Sequence, residues 1–338
     1  MSEDSSQWLF PVDALYHTPS SSEPLEKILY DLSRGVEFLF RLGTSLKLPS
    51  PALFTAATWF HRFYMRYSLQ DFHRQDVAAA CVFLATKTEE CGRKLRDVAK
   101  VYHSKLTGVD PSGAASECKE VDQYQTAILM TEEYLLQAIC FDFTVESPHA
   151  ELVDLFGANP NERDVQDYAW TFAHDSYRTP LCILYPPRII ATACFILAQY
   201  IAEGPNSLPL DARISFSAPS SSLPTPPSHK PASPDASRLA IEFFGLSANE
   251  VQDVTDAVAL LLEYYSVQDL VAYPHLAHIA AVQLPKASTP RDPMYKPFGQ
   301  LQVAHAGTDA TASDQRTQTP RSSHGDIASP FRPSLNTN

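Results

Sequence analysis

Two ten-residue stretches, "AAACVFLATK" (Ala78 to Lys87) and "ATACFILAQY" (Ala191 to Tyr200), lie about one domain length apart and match at five positions. Ala78, Ala80, Cys81, Leu84 and Ala85 of the first correspond to Ala191, Ala193, Cys194, Leu197 and Ala198 of the second. Side chains this small let neighbouring backbones approach closely, as the central helix of a bundle requires. Two copies imply two similar helical bundles joined by a short linker around Phe141–Glu146.

The flanking segments carry helical spacing. In "PSPALFTAATWFHRFYMRYS", residues Leu53, Ala56, Ala57, Phe60, Tyr64 and Tyr67 fall on one stripe of a 3.6-residue period. Ser50 before Pro51 reads as an N-cap with proline at the first helical position, and Ser147 before Pro148 opens a second helix in the same way. Ser247 with Glu250 forms a capping box ahead of Val251, Val254, Val258, Leu261, Leu262 and Tyr265. Alternating strand patterns with tight-turn dipeptides are almost absent, so the expected fold class is all-α.

Composition divides the chain. Residues 1–23 read as an irregular arm, 24–142 as the first bundle and 147–265 as the second. The second is interrupted at about 205–235 by an insert containing "SAPSSSLPTPPSHKPASPD", which has too little to bury and is expected to be disordered. From 285 to 338 the chain turns to Pro, Thr, Ser and Asp, and a disordered tail is expected. The net charge of −13 disfavours direct binding to nucleic acid, which needs clustered Lys and Arg. No apolar run approaches the roughly 20 residues of a membrane span, and "MSEDSSQWLF" is unlike a secretory signal. The six cysteines include no Cys-x-x-Cys pair, which suits a reducing compartment better than a zinc site or a disulfide framework.

Chemistry is sparse. No Gly-x-Gly-x-x-Gly loop is present to cradle a phosphate. His275 and His278 have two-histidine spacing but no nearby acid or cysteine, so neither metal nor cofactor is expected. Glu89 and Glu90 are adjacent on a helix and point about 100° apart, which suits a charged helix end rather than acid–base catalysis. The unusual feature is the end of the first repeat, where Lys87, Glu89, Glu90, Arg93, Lys94 and Arg96 follow an apolar helix. The second repeat has Tyr200 where the first has Lys87. Lys87 reads either as a solvated helix-end lysine with a snorkelling stem or as an anchor for a partner. Arg93, Lys94 and Arg96, with Lys100, form a candidate basic patch, either a solvated face or a contact for a phosphorylated partner segment.

Four motifs, in order, resemble the cyclin family, and within it the transcriptional group typified by cyclin T and cyclin K. They are "WLFPVDALYHTPS" (Trp8 to Ser20), "LKLPSPALFTAATWFHRFYMRYS" (Leu46 to Ser68), "FLATKTEECGRKL" (Phe83 to Leu95) and "CFDFTVESPH" (Cys140 to His149). Pro11, Asp13 and Gly92 depart from that pattern, and a cyclin of the RNA-processing type, similar to cyclin L, stays open beside the T-like and K-like readings.

The resemblance implies two five-helix cyclin boxes and a regulatory, non-catalytic role. The implied partner is a cyclin-dependent kinase that phosphorylates the C-terminal domain of RNA polymerase II during transcription elongation, in the nucleus. It implies a kinase contact at Lys87 and at Glu132, or at Glu133 if the alignment slips by one, with Phe83 as an apolar contact if it faces outward. Transcription factor IIB, a DNA-binding adaptor that also uses paired cyclin-like boxes, is the other class of function, together with an inactive scaffold. The acidic charge and the lack of an N-terminal zinc ribbon weigh against the factor IIB type. Because such kinases act on Ser/Thr-Pro sites and tethering raises local concentration, Thr225, Ser233, Thr289, Thr319 and Ser329 are candidate phosphorylation sites in cis.

Overall fold

The two repeated stretches become the buried central helices of two bundles. In the computed structural model, which describes residues 7–108, 119–158, 160, 162–204, 208–214, 238–286 and 291–296, no strand is present among the described residues. The first bundle is built from α1 (Leu25–Ser45), α2 (Ser50–Tyr64), α3 (Arg74–Thr88), α4 (Leu95–Thr107) and α5 (Lys119–Ala138). The helix α3 is apolar on every side, and every residue from Val77 to Thr86 is buried. A helix apolar all round has to sit inside its neighbours. α3 packs against α1, α2 and α5. Gly35 and Gly43 let α1 cross α2 closely, since a Cβ there would meet Phe60 Cζ at 2.2 Å and Leu53 Cδ2 at 2.1 Å.

α2 departs from the single-stripe expectation, because all residues from Ala52 to Tyr64 are buried. Ser50 is also the first helical residue rather than the cap; Pro49 holds the cap position without a side-chain bond.

The second bundle contains α6 (Pro148–Ala158), α7 (Arg163–Ser176), the short α8 (Leu181–Leu184), α9 (Pro187–Glu203), α10 (Leu210–Ile214), α11 (Leu239–Phe243), α12 (Ala248–Ser266) and α13 (Ala277–Ala280). α9 takes the place of α3, buried from Ile189 to Gln199 and packed against α6, α7 and α12. The capping box at the start of α12 is present in full, with Glu250 N donating to Ser247 Oγ and Ser247 N to Glu250 Oε2.

Three segments differ from the composition-based reading. The arm is not irregular throughout: it includes a 3₁₀ turn, Val12–His17, and buries Trp8 in the first core and Leu15 in the second. Residues 208–214, assigned to the insert, contribute α10, with Leu210 and Arg213 buried. Arg213 is accommodated because Nη2 lies 2.6 Å from Glu203 Oε2 and Nε donates to Leu208 O at 2.9 Å. Residues 215–237 lie outside the described residues.

The tail reading fails at residues 291–296, which form a strap on the second core. Met294 and Tyr295 are buried there, Arg291 pairs with Glu263 at 2.9 Å, and Met294 N donates to Glu263 Oε2 at 2.8 Å. One Met-Tyr pair inside a Pro- and Asp-rich stretch supplies the apolar area that composition averages away.

The seam between the bundles is aromatic. The Phe54 ring stacks on His149 (centroids 4.0 Å apart) and on Tyr177 (5.0 Å), while Phe40 stacks on His174 (4.4 Å). His61 Nε2 donates to Tyr177 O at 2.8 Å, and Arg178 bonds Glu37 across the seam at 2.7 Å. Burial holds His61 and His149 neutral and brings each pKa down to about 4.

Candidate functional site

The exposed end of α3 is where the first bundle stops behaving as core. The last buried turn reaches Thr86, and Lys87 then emerges half-exposed. Its Nζ lies 2.5 Å from Glu132 Oε1 on α5 and 4.5 Å from the centroid of the Phe83 ring. The carboxylate side chain is 8% exposed and the lysine side chain 46%, so a nearly enclosed acid holds a cation that reaches solvent. Phe83, one turn earlier, is buried in the first core rather than facing outward, and its ring forms the floor under the ammonium. The structure thus brings Lys87, Glu132 and Phe83 together. Glu133 is exposed beside them on the outer face of α5.

α5 has more apolar residues than its buried face uses. Val121, Ile128, Leu135 and Ala138 point inward, while Leu129, Met130 and Tyr134 are exposed, Met130 at 60%. Phe141, just past the helix, is 62% exposed. Sequence reasoning missed this strip; its signal was the run "AILM" ahead of "TEEYLLQA", which is apolar at too many successive positions for one helix face. Tyr134 is fixed by edge contacts with Phe72 (5.0 Å) and Tyr67 (5.9 Å), so part of the strip is rigid.

The loop after α3 is fastened from two sides. Thr55 Oγ1 donates to Glu89 Oε1 at 2.7 Å, tying α2 to the helix end. Glu90 adopts a left-handed φ of 52°, and Arg93 then binds four backbone carbonyls: Leu46 (3.0 Å), Lys47 (3.1 Å), Cys91 (2.7 Å) and Gly92 (3.1 Å). The basic patch proposed from sequence therefore does not form as a free cluster. Arg93 is occupied as a backbone clamp and Arg96 is half-buried with an enclosed Nε, so Lys94 alone of the three is exposed. A Cβ at Gly92 would meet open space, so the glycine is not sterically required. Thr225, Ser233, Thr289, Thr319 and Ser329 all lie outside the described residues.

Two helical bundles with matching central helices stand side by side, and the first ends in a lysine–glutamate pair beside exposed apolar residues. The family described as Cyclin, N-terminal domain, matches residues 27–144, about a third of the chain. Cyclin pch1 of Schizosaccharomyces pombe is 41% identical over 201 residues, which span 58% of each chain. Human Cyclin-K is 36% identical over 202 residues (58% of this chain, 34% of that one), and human Cyclin-T2 is 30% identical over 197 residues (57% and 27%). The chain thus spans at most 58% of the length of these relatives. In fold it resembles a chain of the yeast RNA Pol II CTD kinase CTDK-1 complex (TM-score 0.56, 16% identity, covering 90% of this chain and 87% of that one). It also resembles a chain of the Chaetomium thermophilum CAK complex (TM-score 0.53, 16% identity, covering 94% and 100%).

Proposed function

We propose that this chain is the regulatory subunit of a cyclin-dependent serine/threonine kinase, one that phosphorylates the C-terminal domain of RNA polymerase II in the nucleus. The chemistry belongs to the kinase, and the cyclin supplies a rigid face. The observation that carries this reading is the preformed Lys87–Glu132 pair at the solvent end of a fully buried helix, next to the exposed Leu129, Met130 and Phe141. Similarity to Cyclin pch1, Cyclin-K and Cyclin-T2 supports the transcriptional assignment.

The mechanism is positional. A kinase holds ATP productively only when its strand lysine pairs with the glutamate of helix αC. A partner that binds the helix-in state better shifts the equilibrium toward it. An ammonium has three donors. Glu132 engages the Lys87 ammonium, and its other donors can cap backbone carbonyls of the kinase. Glu132 thereby orients Lys87 rather than facing the kinase on its own. The apolar strip of α5 adds area that buries on contact.

Affinity purification of the full chain, with mass spectrometry of the bound polypeptides, tests the assignment. The expected result is a cyclin-dependent kinase whose activity on C-terminal-domain heptad peptides requires the cyclin. Recovery without any kinase, or with one whose activity ignores the cyclin, would contradict it.

A further inference from the structure

The arm, the linker and the start of α9 enclose a cavity of about 420 Å³, well away in sequence from Lys87 and lined by Trp8, Arg62, Thr144, Cys182, Tyr185 and Pro187 among others. Arg62 is 7% exposed. Its guanidinium lies 4.6 Å from the Trp8 ring centroid and makes one hydrogen bond, Nη1 to Thr144 O at 3.2 Å. Nε is enclosed and has no partner among the described residues. The nearby Asp142 is engaged elsewhere, accepting from Trp8 Nε1 (2.7 Å), Gln7 Nε2 (2.9 Å) and Thr144 N (3.0 Å). Burial pulls the Arg62 pKa down from its ordinary value, and the field of Asp142, which lies outside ion-pair distance, offsets this only in part. A buried charge is normally paired, because desolvation costs several kcal/mol.

We propose that this cavity is a docking subsite for an acidic side chain, glutamate or aspartate, on an extended segment of a protein partner. Nη2 makes no hydrogen bond among the described residues and is the nitrogen free to donate to a carboxylate oxygen. A phosphate dianion fits poorly, since Asp142 and Glu146 also line the cavity and would repel its second charge. The flat apolar walls of Trp8, Tyr185, Pro186 and Pro187 flank the cation and suit the residues on either side of the acid. The site does not depend on the kinase reading.

The chain has three tryptophans, so 5-fluorotryptophan labelling gives three ¹⁹F resonances, with Trp8 assigned by Trp8→Phe. The probe is acetyl-Leu-Glu-Leu-amide titrated into the full chain, with acetyl-Leu-Gln-Leu-amide and inorganic phosphate as comparisons. A saturable shift of the Trp8 signal is expected with the glutamyl peptide, with at least about tenfold weaker response to the glutaminyl one. Arg62→Gln should remove the response but could disturb the fold. Thr144→Glu, at an exposed rim position, supplies the carboxylate in cis and should weaken peptide binding by more than about tenfold. Equal responses to both peptides, a phosphate response as strong as the glutamyl one, no Trp8 shift, or full binding by Thr144→Glu would each overturn the proposal.

Discussion

Glu132 on α5 and Glu263 on α12 are both carboxylates about 8% exposed near the end of a long outer helix. Their partners differ. Glu263 is closed over by the chain itself, through Arg291 and Met294 N of the strap, with Met294 and Tyr295 sealing the place. Glu132 is met by one half-exposed lysine, with uncovered apolar residues alongside. The same scaffold therefore ends once in a finished core and once in an open cation. The difference shows where a second molecule has room to complete the structure.

The largest expected effect comes from opening the closed side. A chain ending at Lys286 loses Met294 and Tyr295, each contributing about 1.5–3 kcal/mol by burial, and leaves Glu263 unpaired. Together the loss should be on the order of 5 kcal/mol, read from urea denaturation. A chain ending at Phe298 keeps the strap and should match the full chain. Equal stability of the two truncations would show that Glu263 needs no closure.

Acid should uncouple the two bundles at their seam. His61 and His149 have folded pKa values of about 4, below the ordinary histidine value, so the unfolded chain binds more protons below neutrality. Their stabilising contribution is complete above about pH 6.5 and is lost as pH falls through 6.5 toward 4, by up to roughly 3 kcal/mol each. Melting temperatures at pH 7.5 and 5.0 should show this fall, and His149→Phe should reduce it. A flat profile would separate the seam from the histidines.

Single substitutions at the two acids sharpen the contrast. Glu263→Gln weakens a charged bond to Arg291 and should cost about 2 kcal/mol of stability. Lys87→Ala removes a half-exposed side chain and so opens Glu132 to water rather than leaving it enclosed and unpaired, which should cost no more than about 1 kcal/mol by the same denaturation assay. Comparable losses at both places would erase the distinction between closed and open ends.

Much of this contrast could be read from sequence, and the rest could not for physical reasons. Repeated small residues gave away α3 and α9, because close helix packing leaves few alternatives to Ala and Cys. The Ser247–Glu250 box was legible because both partners lie within one turn. Lys87, Glu132 and Phe83 could be named, but their mutual contact depends on α5 crossing α3, which no local pattern encodes. Arg93 looked like part of a basic surface because composition counts charges and not the carbonyls a folded loop presents. The strap was missed for the opposite reason: two apolar residues carry its burial inside a polar stretch.

On the proposed function, the open end of α3 serves a partner while the strap serves the fold. The direct measurement is the affinity of the co-purified kinase for the wild type, Lys87→Ala and Arg291→Ala, each checked for folding by circular dichroism. Lys87→Ala should lose about 2 kcal/mol of binding, roughly thirtyfold in Kd, with an unchanged spectrum. Arg291→Ala should melt earlier yet bind normally while folded. Unchanged affinity in a folded Lys87→Ala protein would return Lys87 to an ordinary solvated helix end and contradict a partner-binding role.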